Sequence, residues 1–149
     1  VVDIGVALLA LTLAAVGVLG FGLISASMFM LINAKGWSDP FGWAVGLLAG
    51  LATGVYFPVS LLPGPLYRTA LLLPHTYAID AARRLLLPYG AGASLPDLPL
   101  HRLLPEFTAV EADLTALLLS AIVLPCIGAA LFAAGIAKAR TDGGLSRWT

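Results

Sequence analysis

The chain has 149 residues, of which 60% are hydrophobic and only 11% are charged, and its formal net charge is zero. Globular domains usually carry about 25% charged residues, so the charges present here would poorly cover a water-facing surface. A net charge of zero also lacks the basic field that attracts nucleic acid, so no nucleic-acid partner is expected.

Three long stretches contain no charged residue: between Asp3 and Lys35, between Asp39 and Arg68, and between Asp113 and Lys138. A helix needs about 20 predominantly apolar residues to cross the bilayer core. We therefore predict an all-α integral membrane protein with three transmembrane helices, at about residues 4–33, 43–62 and 114–137. Residues 1–149 then form a single transmembrane domain.

The start of the chain does not read as a signal peptide, because its apolar run is too long and lacks a basic leading segment. Val1 is not an initiator methionine, so we interpret the sequence as part of a longer protein. The single cysteine, Cys126, lies inside the third predicted span and is expected to be a buried apolar residue. Pro125 beside it is expected to bend that span.

Residues 63–113, between the second and third predicted spans, form a long segment that is rich in proline and still apolar. We predict two short helices in it, at "LYRTALLLP" and "TYAIDAARRLLL". In the second, Asp80 precedes Arg84 by four residues, an order that supports a helix. Pro105 is expected in the first turn of the last helix. Such an apolar loop is expected to be partly helical and re-entrant-like, and either to dip back toward the bilayer or to pack over the spans.

The distribution of Lys and Arg gives an orientation. The short turn has Lys35 and the tail has three basic residues, whereas the long loop has only Arg68 and Arg102 close to a span. The turn and the C-terminus are therefore predicted to be cytoplasmic. The loop 63–113 is then external, and the protein lies in the cytoplasmic (inner) membrane.

Four glycines recur at every fourth position of the second predicted span: Gly42, Gly46, Gly50 and Gly54. Each costs a helix about 1 kcal/mol relative to alanine in water. In a bilayer, small residues allow helices to approach closely. Two interpretations stay open, namely tight packing against a neighbouring helix and a seam that moves or faces another subunit.

Catalytic chemistry has little support in the sequence. No GxxxxGK[ST] motif is present to hold the phosphates of ATP. The predicted spans contain no ionisable residue that would serve an ion relay. A metal or acid–base site in the long loop would draw on six residues, but no HxxxH or HExxH spacing joins them and Ser60 lacks the GxSxG elbow. The six are His75, Asp80, His101, Glu106, Glu111 and Asp113. We expect no catalytic residue, metal site or bound cofactor.

The stretch "GVYFPVSLLPGPLYRTALLLPHTYAIDAARRLLL", residues 54–87, resembles the membrane subunits of the type-2 ATP-binding-cassette (ABC) exporters. In that family a glycine, aromatic residues and a proline at the outer end of the fifth span are followed by a leucine–proline pair, a short helix, a proline–threonine–tyrosine cluster and an arginine-bearing helix. The matching residues are Gly54, Phe57, Pro58, Leu62, Pro63, Pro74, Thr76, Tyr77 and Arg83 or Arg84. The resemblance covers about residues 5–140.

The resemblance implies a permease subunit of an ATP-driven ABC exporter, of which this chain supplies the last three of six spans. It implies a separate ABC ATPase subunit that binds ATP and Mg, a second permease subunit to complete a dimer, and transport by alternating access. Outer gate candidates are Tyr56, Phe57, Pro58, Pro74, Tyr77, Asp80 and Arg84. Candidates for the turn facing the ATPase are Lys35, Asp39 and Pro40.

Other interpretations stay open beside this one. The chain as a whole fits a non-transport helical membrane protein with an assembly or anchoring role. Tyr56 and Phe57 fit an interfacial aromatic belt. Asp80 and Arg84 fit an ion pair that fixes the loop, and the turn at residues 34–42 fits a plain solvated connection.

Overall fold

The computed structural model describes residues 4–32, 40–53, 56, 59–87 and 98–141. Within these ranges every regular element is a helix, and a single 3-10 turn lies at Val59–Leu61. The helices are α1 (Ile4–Ile32), α2 (Pro40–Ala52), α3 (Gly64–Ala70), α4 (Pro74–Leu86), α5 (Pro99–Leu103) and α6 (Ala109–Thr141). The predicted all-helical fold is confirmed for this part of the chain.

Two helices are long and apolar enough to cross a membrane, α1 with 29 residues and α6 with 33. Each helix contains an apolar stretch of 18 residues, and only 22% of this stretch in α1 and 11% in α6 is buried within the protein. Large apolar side chains such as Leu11, Leu19 and Leu119 therefore remain exposed. A helix in the core of a soluble protein would bury them, so this exposure favours membrane association.

The second predicted span differs from the expectation. Helix α2 has 13 residues and ends at Ala52, whereas the sequence predicted a helix over residues 43–62. At 1.5 Å per residue α2 is roughly 20 Å long, and a bilayer core is about 30 Å thick. Before Pro63 the chain forms the 3-10 turn at Val59–Leu61 rather than the end of a long helix. The described residues thus supply two of the three predicted spans.

Helices α1 and α6 run parallel along most of their lengths. Residue numbers increase in the same direction on the two sides of the interface. Ala10 and Ala14 pack with Leu117, Gly17 lies beside Ser120, Gly20 lies beside Leu124, and Met30 lies beside Gly135. At the far end, the Lys138 ammonium donates a hydrogen bond to the Leu31 carbonyl. A cation there satisfies a carbonyl at the C-terminal end of α1, where helix carbonyls lack partners.

Glycines on both helices make the α1–α6 interface close. A Cβ atom on Gly20 would lie 2.5 Å from the backbone carbon of Leu124. A Cβ atom on Gly128 would lie 2.8 Å from the Gly20 carbonyl oxygen. Neither site has room for a side chain, so the two backbones touch, as small residues permit in helix pairs that lack a hydrophobic driving force.

The two short helices predicted in the long loop are present as α3 and α4. Each has a proline in its first two positions, where the missing N–H costs nothing. The turn between them is closed by two side chains, since Thr76 donates to the Ala70 carbonyl and the Tyr77 hydroxyl donates to the Leu71 carbonyl at 2.8 Å.

This turn lies well along the long helices. Pro74 is buried, and a Cβ atom on Gly17 would lie 3.4 Å from its side chain. The same point of Gly17 lies 3.3 Å from the Ser120 hydroxyl. Ser120 is two turns beyond Asp113 on α6, or roughly 10 Å along the axis. The α3–α4 turn therefore packs against α1 and α6 well away from the start of α6, while the re-entrant character of the loop stays a prediction.

The start of the last helix corrects one expectation. Pro105 lies in the turn that precedes α6, not in its first helical turn. Helix α6 begins instead after Thr108, whose N–H donates to the Glu111 carboxylate at 2.8 Å while the Glu111 N–H donates to the Thr108 hydroxyl at 3.3 Å. This reciprocal pair is a capping box, which satisfies backbone donors at the N-terminus.

Candidate functional site

Four polar side chains from three helices meet near the N-terminal end of α6. Asp80 and Arg84 come from α4, His101 from α5 and Asp113 from α6. The Arg84 Nε–H donates to Asp80 Oδ2 at 2.7 Å, and the two side chains are only 10% and 15% exposed. The ion pair predicted from their spacing is therefore present, and it is shielded from solvent rather than fully exposed.

His101 connects α5 to α6 through Nε2 and caps its own helix through Nδ1. Its Nε2 lies 2.8 Å from Asp113 Oδ1 and 3.8 Å from Asp80 Oδ2. Its Nδ1 accepts a hydrogen bond from the Leu98 N–H at 3.2 Å, the position at which a capping box places Glu or Gln. A nitrogen that accepts carries no proton, so the neutral ring holds its proton on Nε2 and donates it to Asp113.

Asp113 is fully buried, with a relative exposure of 0%. Its Oδ1 accepts a hydrogen bond from the His101 Nε2–H, whereas its Oδ2 has no hydrogen-bond partner among the described residues. One turn further along α6, Leu117 belongs to an apolar cluster with Ala10, Ala14 and Ala81. Ionising a carboxyl group in such surroundings costs free energy unless the charge is paired, so the lack of a partner at Oδ2 disfavours the ionised form of Asp113.

The three side chains Asp80, His101 and Asp113 have the donor types of a metal site. One ligand atom from each lies within 4.8 Å of the others. A metal would need the lone pair of His101 Nε2, but that nitrogen carries the ring proton as long as Nδ1 accepts from Leu98. Ligating histidines usually donate, rather than accept, at their second nitrogen. The geometry therefore favours a hydrogen-bonded network over a metal centre.

Two further titratable side chains of α4 have shifted pKa values. Burial raises the pKa of Tyr77, with smaller contributions from the charges of Asp113 and Tyr67. Burial lowers the pKa of His75, whose Nδ1 is buried without a partner among the described residues. The Tyr77 phenol therefore stays protonated and the His75 ring stays neutral near pH 7.

His75 lines a cavity of about 450 Å³ between α1 and α2, together with Gly22, Ser25, Gly42 and Gly46. Two of the regularly spaced glycines of α2, Gly42 and Gly46, therefore line an open cavity. A Cβ atom at Gly46 or Gly50 would meet nothing within 4 Å among the described residues.

Gly46 and Gly50, two of the four regularly spaced glycines, therefore do not pack closely against any described helix. The close seam lies between α1 and α6 instead, at glycines that do not recur at every fourth position. A seam with another subunit stays a prediction for Gly42, Gly46 and Gly50. Gly54 lies outside the described residues.

The outer gate candidates are only partly brought together. Four of them lie on α4: Pro74, Tyr77, Asp80 and Arg84. Tyr56 is 74% exposed, and Phe57 and Pro58 lie outside the described residues. Of the candidates for the ATPase-facing turn, Pro40 begins α2, while Lys35 and Asp39 lie outside the described residues. The gating and ATPase-facing roles stay predictions.

His101 and Asp113 are the residues whose importance the sequence did not reveal. They appeared only among six polar residues of the loop, and no motif spacing joined them. Three of the six, including Asp80, meet in space, whereas Glu111 caps α6. One signal was present: Asp113 is the last charged residue before the long uncharged stretch of α6.

The chain matches no protein-family model, no curated protein and no solved structure. Its function is therefore argued from the sequence resemblance and from the geometry of the described residues.

Proposed function

We propose that this chain is the membrane-spanning permease part of an ATP-driven exporter of the type-2 ABC class, corresponding to the last three spans of a six-span subunit. The observation that carries the proposal is the parallel packing of two long apolar helices, α1 and α6, with a short helical pair turned inward beside them.

The parallel arrangement bears directly on topology. If α1 and α6 both cross the bilayer, they cross it in the same direction. The chain between them must then cross back an odd number of times. The longest uncharged stretch available for that crossing runs from Pro40 to Tyr67 and contains α2. An odd number of spans in this half of the subunit is what the resemblance implies.

The inward turn between α3 and α4 supports the same interpretation. Pro74, one of the residues on which the resemblance rests, directly follows it and lies beside Gly17 of α1. Backbone that is not part of a spanning helix is tolerated at such depth only where protein packs around it, and here α1 and α6 provide that packing. In an exporter, such a turn would close the outer end of the transport path.

The exposed face of α2 supports a second subunit. Trp43 is 70% exposed, and Leu47 and Leu51 beside the open glycine positions are also exposed. In the proposed exporter, two permease subunits alternate between inward-open and outward-open states. ATP and Mg are bound by a separate ATPase subunit, which supplies the closing motion. The C-terminal end of α6, with Lys138 and Arg140, lies on the cytoplasmic side.

The test uses the full-length permease gene co-expressed with an ABC ATPase encoded beside it, since this class keeps its ATPase on a partner. We expect the two proteins to purify together in equal amounts and the permease to change the rate of ATP hydrolysis in nanodiscs. An ATPase variant with its phosphate-binding lysine replaced by alanine should bind the permease and hydrolyse no ATP. A permease that neither binds the ATPase nor changes its rate would instead indicate an assembly or anchoring protein.

A further inference from the structure

The polar cluster at the start of α6 contains two carboxyl groups and one guanidinium. Arg84 pairs with Asp80 at 2.7 Å. The His101 Nδ1 accepts the Leu98 N–H, so this nitrogen carries no proton in the structure and the ring adds no positive charge to the cluster. If both carboxyl groups were ionised, the cluster would hold an unbalanced negative charge in a buried site.

None of the other described helices packed against the cluster supplies that balance. Helix α4 contributes Asp80 and Arg84, while its Tyr77 hydroxyl donates to the Leu71 carbonyl, and α5 contributes His101. Helix α1 has no charged residue between Ile4 and Ile32. On α6 itself, Glu111 is exposed and bound to Thr108. Two close carboxyl groups that share one cation, one of them fully buried, favour the state in which one keeps its proton.

Asp113 Oδ2 is the atom best placed to hold that proton. Asp113 is fully buried, and its Oδ2 has no partner among the described residues. Asp80 and Asp113 each have an oxygen within 4.8 Å of the other. A proton on Asp113 Oδ2 removes the unbalanced charge without moving any helix.

We propose that Asp80, His101 and Asp113 form a proton-binding site that holds α4 and α5 against the start of α6 while one proton is bound. Loss of the proton from Asp113 leaves two carboxylates facing each other, and their repulsion loosens α5 from α6. The proposal does not depend on export. In the proposed topology the site faces the outside, so external pH would control this end of the protein.

Proton linkage determines whether the stability of the chain rises or falls with pH. The folded chain keeps a proton on Asp113, whereas an unfolded aspartate ionises near pH 4, so the folded state binds more protons above that pH. Stability therefore falls as the pH rises. One extra bound proton changes the unfolding equilibrium constant up to about tenfold per pH unit.

The test measures thermal unfolding of the full chain in lipid nanodiscs between pH about 5 and about 9, the range in which the retained proton matters. Asp113→Asn keeps the shape of the protonated carboxyl group and should unfold at a temperature that no longer falls with pH. Asp80→Asn leaves one carboxyl group for one arginine and should also flatten the profile. Glu106→Gln, which removes an exposed carboxylate nearby, should keep the wild-type pH dependence.

Two further measurements stand if a variant fails to fold. Infrared spectra of the wild-type chain should contain the carbonyl band of a protonated carboxylic acid at neutral pH, and the band should disappear at high pH. The protection of the α5 amides, that is, their exchange rate corrected for the base-catalysed rate of an unstructured amide, should fall over the same range. The proposal is overturned if the band is absent, if Asp113→Asn retains the wild-type pH profile, or if added Zn²⁺ stabilises the wild type but not Asp113→Asn.

Discussion

The carbonyl oxygen of Gly20 lies 2.8 Å from the point at which a side chain on Gly128 would begin. At this crossing α1 and α6 meet backbone to backbone, next to Pro125, which has no N–H of its own. The crossing fixes how the two longest helices pack, and it does so with glycines that the sequence pattern did not single out.

Gly20→Ala should destabilise the chain. Its Cβ atom would lie 2.5 Å from the Leu124 backbone, so the helices must separate. Overpacking of this kind costs about 1–3 kcal/mol. Gly22→Ala, two residues further along the same helix, meets nothing within 4 Å and should be neutral or slightly stabilising. Denaturant or thermal unfolding in nanodiscs measures both, and equal losses for the two variants would contradict the close crossing.

Gly50→Leu tests the other set of glycines. No described residue lies within 4 Å of a Cβ atom at this position, so the leucine should leave the unfolding temperature of the monomer close to that of the wild type. If α2 faces a second subunit, the same change should reduce the fraction of dimer in the full-length protein. Crosslinking and size-exclusion chromatography report that fraction. A loss of monomer stability as large as that of Gly20→Ala would contradict the open position, and an unchanged dimer would exclude α2 as the subunit seam.

Arg84→Met should destabilise the chain by about 1–3 kcal/mol, the cost of losing a hydrogen bond to a charged group. The change leaves Asp80 and Asp113 without a nearby cation, so the loss should be larger at pH 8 than at pH 5, where a carboxyl group can take up a proton. Asp80→Asn together with Arg84→Met should recover part of the stability. Arg102→Met, at an exposed arginine of α5, is the matched control, and an equal loss there would show that the ion pair is unimportant.

Cysteine labelling tests the proposed orientation. In a Cys126→Ala background, a cysteine introduced by Glu106→Cys should react with an impermeant maleimide added outside intact cells. One introduced by Thr141→Cys should react only after permeabilisation. Both positions are exposed, and they lie at opposite ends of α6, which is roughly 50 Å long. Labelling of both from one side would mean that α6 does not cross the membrane, and the reverse pattern would invert the orientation.

Composition along one segment was sufficient to predict several elements. The uncharged stretches predicted α1 and α6, because a bilayer-length helix needs only a continuous run of apolar residues. The Asp80–Arg84 pair followed from a spacing of four residues within one helix. The two short helices of the loop followed from local patterns of proline and apolar residues. In each case the information lies within one turn or one helix length of sequence.

The tertiary structure decided what distant segments do to each other. Regular spacing drew attention to Gly46 and Gly50, but spacing cannot tell whether a helix lies opposite, and none of the described helices packs closely there. Likewise, Asp80, His101 and Asp113 lie on three separate helices, so no local pattern connects them. Their meeting depends on α4 and α5 packing against α6. Contacts between segments distant in sequence arise from how helices dock, and docking depends on complementary surfaces that no single segment encodes.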